Sequence, residues 1–461
     1  MRLHFLGGAG IVTGNSYLLE TDKEKILIDC GLFQGLPELE AKNREPFPFD
    51  PKEIDFVLIT HSHLDHIGRL PLLVEDGFSG KIFATPPTME FARLMLEDTQ
   101  KVMYEKARKE EGLIIFGENE IQEIMDLFVP TPYHQKINLS ENVSFEFFEA
   151  GHILGSAIIR LTIRRAQGKN KKEIKETKIV FSGDLGNTRM PILRPLEKIE
   201  EANYVLVEST YGDRLHEDKS KTKDIVEDVV EETIAKNGVL MIPSFALERT
   251  QQLLYQLNEL VEHKRIPVVP VFIDSPLAIK VTAVYEKYRD YFNQEARQLI
   301  KSGDDIFKFP GLKMTPSIKE SKQINDVLPP KIIIAGSGMS QGGRIMHHEL
   351  RYLPEARNTL LLVSYQAQGT LGRQILDGAK EVKILDQQVA VQAKITHISG
   401  YSAHADQAGL MDWVAGFQKP VKKIFVVQGE EKPANVLAQK IKDELGISAE
   451  VPKINQVVEL V

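Results

Sequence analysis

The 461-residue chain has one cysteine, Cys30, one tryptophan, and no apolar run approaching the ~20 residues that cross a bilayer. A lone thiol cannot close an internal disulfide and suits a reducing cytoplasm, where the chain is expected to reside. The N-terminus, MRLHFLGGAGIVTGNSYLLE, has no basic segment followed by an apolar core, so neither secretion nor membrane insertion is expected. Positive charge is also short: 57 Lys and Arg stand against 65 Asp and Glu, for a net charge of −8. That balance argues against coating by nucleic acid through bulk electrostatics and leaves room only for a local basic groove. Repeats and low-complexity linkers are missing too. What is present is an ordinary globular composition, 42% hydrophobic and 26% charged, in a chain long enough for roughly two to three domains.

The first part reads as short strands, RLHFLG, NSYLLET and KILIDCG, broken by Gly7, Gly8, Gly10 and Gly14. DFVLITH follows as an apolar strand, then a charged helical stretch from about Glu90 to Leu127 with Phe91, Leu94, Met95 and Val102 at helical spacing. Strand signals return in VSFEFFEAGHILGSAIIRLTI, TKIVFSGDLG and NYVLVEST. The basic run between them, Arg164 to Lys178, reads as a solvated hairpin tip rather than a phosphate contact. From about Tyr211 strands and helices alternate, which predicts a parallel sheet with crossover helices, a second domain of doubly wound type. After about Leu385 the chain returns to strands and a helix pair.

The stretch HSHLDHIG, His61 to Gly68, holds three of the twelve histidines and one aspartate within six residues. His61 and His63 project the same way if the strand end stays extended, and Asp65 and His66 follow the turn. Imidazole and carboxylate together suit zinc or a similar divalent ion. Two further loops end strands in the same manner: EAGHILGS presents His152 and FSGDLG presents Asp184. Each is weak alone, since such residues usually serve local hydrogen bonds; with the cluster they form a pattern.

Asp29 in LIDCG, HSHLDHIG, GHILGS and FSGDLG, in this order, resemble the metallo-β-lactamase superfamily. VESTYGDR with Glu208, GSGMSQGGR, YSAHAD with His404 and a last strand ending in VVQGE extend the resemblance to its β-CASP branch, nucleic-acid-processing enzymes that include prokaryotic ribonucleases. The resemblance implies an α/β protein: an αββα sandwich from residues 1–210 and 386–461, with a doubly wound β-CASP domain, 211–385, inserted and the substrate between the two. It implies that His61, His63 and His152 hold one zinc ion, that Asp65 and His66 hold a second, that Asp184 bridges them, and that Asp29 orients the shell. Such a pair of ions would direct a hydroxide at phosphorus. Glu208 and His404 would then form an acid pair serving the leaving 3′-oxygen, with Asp65 and Asp184 completing the catalytic set. Ser337, Gly338 and Arg344, in a strand, Gly/Ser loop and helix start, become candidates for RNA backbone contacts. The adjacent His347 and His348 point different ways from one helix and read as surface or packing residues. The implied activity is a metal-dependent ribonuclease, endonucleolytic with a 5′-exonuclease mode as a variant. Its implied partners are RNA and, as is common among prokaryotic relatives, a second copy of the chain, with no membrane. No appended RNA-binding domain is read.

One residue departs from the pattern. Where the family places a final histidine ligand, in a VHGE-like context, this chain has Gln428. An amide oxygen is a poorer zinc donor than imidazole. Three readings follow: a weakly loaded second site, a harder ion such as manganese, or diminished catalysis. Two other functions stay open: a metallo-hydrolase of a small ester, thioester or lactam, which fits the metal motif alone, and an RNA-binding scaffold, which Gln428 favours.

Overall fold

The computed structural model describes residues 1–108, 114–167, 173–188, 190–216 and 222–461. Two compact units are distinguished: Met1–Leu215 with Ala403–Val461, and His216–Ser402.

The first unit is built on two seven-stranded sheets. One runs in the order Gln456–Glu459, Arg2–Phe5, Tyr17–Glu20, Lys25–Ile28, Phe56–Leu58, Lys81–Ala84, Phe128–Pro130. The other runs Ala449–Glu450, Lys423–Val427, Tyr204–Glu208, Glu173–Phe181, Ala157–Gln167, Val143–Glu149, Ile137–Asn138. Phe5, Leu19, Phe145, Phe147, Phe181, Leu206 and Phe425 meet between the sheets in one core. The alternate residues of the same strands, Val180, Val205, Val207, Ile424 and Val426, face outward and are covered by the helices Gln407–Ala415 and Glu431–Leu445. Strands buried on both faces must be apolar throughout, which is why IVF, YVLV and IFVV show no alternation. The first sheet is covered on its outer face by Leu70–Glu75, Pro86–Arg108 and Glu118–Asp126, closing an αββα sandwich. The helical stretch expected from Glu90 to Leu127 is thus two helices. Gly117 starts the second, its N–H donating to Glu120 Oε2 at 2.8 Å.

The strands Ala157–Gln167 and Glu173–Phe181 pair antiparallel, with Arg164 Nε donating to Glu176 Oε1 at 2.9 Å. The tip of that basic run, 168–172, lies outside the described residues.

The second unit carries a parallel six-stranded sheet, ordered Leu312–Met314, Val271–Asp274, Lys331–Ala335, Val239–Pro243, Thr359–Leu362, Lys394–His397. Met241, Ile333 and Leu362 pack on one face with Ile345 and Ile375. Leu240, Ile242, Ile332, Ile334 and Leu361, on the other, are equally buried, as a doubly wound sheet requires. No helix among the described residues is long and apolar enough to cross a membrane.

Candidate metal centre

The strand Phe56–Leu58 runs out into Thr60 and His61, and His63 precedes a one-turn helix, Leu64–Ile67, that carries Asp65 and His66. This helix is pressed against the segment after Lys25–Ile28: Cys30 N–H donates to His66 O at 2.7 Å and Leu32 N–H to Leu64 O at 2.8 Å. Gly31 makes the approach possible, since a Cβ there would lie 1.6 Å from Asp65 O. Asp29 sits at φ +57° and orients the loop. It accepts from Thr60 N–H at 2.8 Å and Thr60 O–H at 2.8 Å, and lies 2.7 Å from His66 Nδ1. Hydrogen bonds to a charged carboxylate contribute about 1.5–3 kcal/mol each, so one buried aspartate holds both the strand end and the ring in place.

His152 comes from the loop after Val143–Glu149, and Asp184 from the loop after Glu173–Phe181. The loops touch at Gly186, where a Cβ would meet Gly151 O at 1.9 Å. His61 Nε2 lies 3.0 Å from His63 Nδ1, and His152 Nε2 lies 3.2 Å from the same atom. Asp184 Oδ2 lies 3.5 Å from His61 Nε2 and 3.3 Å from His152 Nε2. Bonds of about 2.0–2.2 Å to one tetrahedral ion would set its ligands about 3.3–3.6 Å apart, so three ring nitrogens and one carboxylate oxygen fit a single divalent metal. Burial lowers the pKa of His61, of His63 (to about 4) and of His152, keeping the rings neutral and able to ligate. Burial pushes Asp184 upward, but His61, His66 and His152 outweigh it and hold the carboxyl well below its ordinary range.

Asp65 and His66 meet different surroundings. His66 Nε2 lies 3.1 Å from Asp184 Oδ1 and 3.8 Å from Asp65 Oδ2. Two carboxamide nitrogens reach the same place: Asn15 Nδ2 at 3.0 Å and Gln428 Nε2 at 3.1 Å from His66 Nε2. Gln428 Nε2 also donates to Asp184 Oδ1. This set, as arranged, does not fit a second ion. Asn15 and Thr60 escaped the reading of the sequence. Asn15 follows a glycine and looks like a turn residue, and Thr60 looks like any strand-end threonine.

Glu208 ends the strand Tyr204–Glu208, fully buried. It accepts from Leu185 N–H at 2.6 Å, and both its oxygens lie 3.2 Å from His404 Nδ1. His404 is seated by a bridge to Gly186, and its Nε2 lies 3.7 Å from Asp184 Oδ2. Burial works against charge on this ring, but Glu208 outweighs it and the pKa rises to about 9. The pair is therefore joined to the metal cluster within one compact unit.

Ser337, Gly338 and Arg344 belong to the other unit, in the loop after Lys331–Ala335. The Arg344 guanidinium turns inward, donating to Asp274 Oδ1 at 2.8 Å, Thr315 O at 2.7 Å and Pro316 O at 3.0 Å. Ser337 Oγ accepts from Gln341 N–H at 2.9 Å, and Gly338 O accepts from Gln366 at 3.0 Å. His348 Nε2 lies 2.8 Å from Asp274 Oδ2, in a packing role.

Residues 9–137 match the metallo-beta-lactamase superfamily, residues 250–375 the Beta-Casp domain, and residues 388–452 the Zn-dependent metallo-hydrolase RNA specificity domain. Ribonuclease TTHA0252 of Thermus thermophilus is 38% identical over 94% of each chain. An RNase J-like protein of Methanocaldococcus jannaschii is 32% identical over 98% of this chain and 97% of its own. The transcription termination factor FttA of Methanosarcina mazei is 31% identical over 97% of this chain and 70% of its own. A solved Enterococcus faecalis protein of unknown function shares the fold, with a TM-score of 0.56 at 13% identity, over 100% of this chain and 99% of that one. The order of the motifs, the two-unit fold and these full-length relatives together make the chain a member of the β-CASP branch of the metallo-β-lactamase superfamily.

Proposed function

We propose that the chain is a metal-dependent ribonuclease that hydrolyses RNA phosphodiester bonds, with Met1–Leu215 and Ala403–Val461 as its metallo-β-lactamase domain and His216–Ser402 as its β-CASP domain; the boundary expected near residue 386 falls later because the strand Lys394–His397 pairs into the sheet of the second unit. The observation that carries this reading is the Glu208–His404 pair set against the metal ligands, with His404 Nε2 3.7 Å from Asp184 Oδ2. A small-molecule hydrolase built on the metal motif alone has no need of it, and the relatives named as ribonucleases support the same choice.

His61, His63, His152 and Asp184 would hold the ion, for which zinc suits a site of three imidazoles and a carboxylate. Bound there, zinc supplies Lewis acidity that lowers the pKa of water and balances charge growing on phosphate oxygens. The remaining steps fall to side chains. Asp29 keeps Thr60 and His66 in register, so the loop does not yield when substrate arrives. Asp65, with a side chain 17% exposed, is the carboxylate within the cluster that reaches solvent and can orient attacking water. Glu208 holds His404 charged, and His404 Nε2 delivers its proton to the leaving 3′-oxygen, leaving a 5′-phosphate on the other product. Ser337 and Gly338 would lie at the RNA backbone in the loop that Arg344 supports from inside through Asp274.

Labelled single-stranded RNA incubated with the full chain, with and without chelator, tests the proposal. Cleavage abolished by chelator and restored by zinc is the expected result. Binding without cleavage would replace the enzyme with a scaffold, and neither binding nor cleavage would favour a small-molecule hydrolase.

A further inference from the structure

We infer that Asn15 and Gln428 take the place of a second metal ion, so that the centre works with one ion held by His61, His63, His152 and Asp184. The inference rests on the metal-centre reading above and narrows it.

A ring nitrogen ligates through a lone pair in the ring plane, and His66 has two candidates. Nδ1 is committed, 2.7 Å from Asp29 Oδ2 and 3.3 Å from Thr60 Oγ1. Only Nε2 could face an ion shared with Asp184 Oδ1. That space is taken by Asn15 Nδ2 at 3.0 Å and Gln428 Nε2 at 3.1 Å. Amide nitrogens present the positive end of N–H dipoles and no lone pair to a cation, so two of the four polar neighbours of His66 Nε2 repel what the other two would attract.

Neither amide can turn its oxygen inward without loss. Asn15 Nδ2 also donates to Val12 O at 3.1 Å, and its Oδ1 accepts from Tyr17 O–H at 3.3 Å; a flip would set Oδ1 against a carbonyl oxygen. Gln428 Nε2 donates to the Asp184 carboxylate, and a flip would set Oε1 against that carboxylate oxygen. Nor can Gln428 swing away. It is 2% exposed and sits at φ +49°. Its backbone N–H donates to Gly8 O at 2.6 Å, and its C=O accepts from Ser209 N–H at 3.3 Å and Thr210 O–H at 3.2 Å.

The consequence is a division of labour at Asp184. Its Oδ2 faces His61 and His152, while its Oδ1 accepts from the Gln428 amide and faces His66 Nε2 at 3.1 Å. The carboxylate therefore stays aimed at the first ion without bridging to another.

Chelator-stripped full-length protein, titrated with zinc and separately with manganese and then desalted for metal analysis, decides the matter. One ion per chain is expected with either metal. Two per chain in the wild type would overturn the inference, whereas none would overturn the metal-centre reading itself. Gln428→Glu, alone and with Asn15→Ala, replaces the N–H donor by a carboxylate of the same length. With folding checked by circular dichroism, the double variant is expected to bind two ions and to gain more thermal stability from zinc than the wild type does. If a folded double variant still binds one, the carboxamides are not what excludes the second, and the inference fails.

Discussion

His61 and His63 point into a group of ring nitrogens and a carboxylate oxygen, with no side-chain amide among them. Asp65 and His66, two and three residues further along, point into a space where two amide nitrogens have arrived first. The halves of one six-residue motif thus share backbone, burial and a common aspartate, yet differ in what the rest of the chain delivers to them. The difference teaches that ligand density marks a metal centre but not its ion count. The count depends on residues brought in from distant strands, here Asn15 ahead of Tyr17–Glu20 and Gln428 after Lys423–Val427.

The comparison can be broken most forcefully from its first half. His63→Ala removes a ring whose Nδ1 faces both His61 and His152, and should reduce RNA cleavage to the level of chelator-treated enzyme, with the bound ion lost on metal analysis. His404→Ala should leave the ion in place and lower kcat/KM by about 10²–10⁴-fold, the usual contribution of a positioned acid. A loss of the ion in that variant would move His404 into the ligand set. Asp29→Ala acts one step back, through Thr60 and His66, and is expected to weaken metal affinity by about 10–100-fold, read by competition with a fluorescent chelator. Arg344→Ala, in a loop of the other unit, should cost about 1.5–3 kcal/mol of stability through Asp274 and the Thr315 and Pro316 carbonyls, with unchanged metal content. Thermal melting followed by metal analysis checks it.

Much of this could be read from residue order. In the second sheet the segments IVF, YVLV and IFVV announce themselves as unbroken apolar runs because both their faces are covered. His152 and Asp184 are legible because each ends a strand in a glycine-flanked loop, and Glu208 and His404 because the β-CASP pattern places them. Other features were not. The helical stretch after Glu90 divides in two because periodicity alone does not mark the break before Gly117. Arg344 lies in a loop whose glycines suggest phosphate contact, but a loop sequence does not say which way a long side chain turns, and this one turns toward the buried Asp274. Asn15 has the composition of a turn; its meaning depends on Val12 and Tyr17 fixing its amide and on His66 arriving 51 positions later.

The account is tested most directly by where the ion sits. Anomalous diffraction at the zinc edge, from crystals grown in zinc, should show one peak per chain enclosed by His61, His63, His152 and Asp184, with the Gln428 amide still against Asp184. A second peak of comparable height between His66 and Asp184 would contradict it.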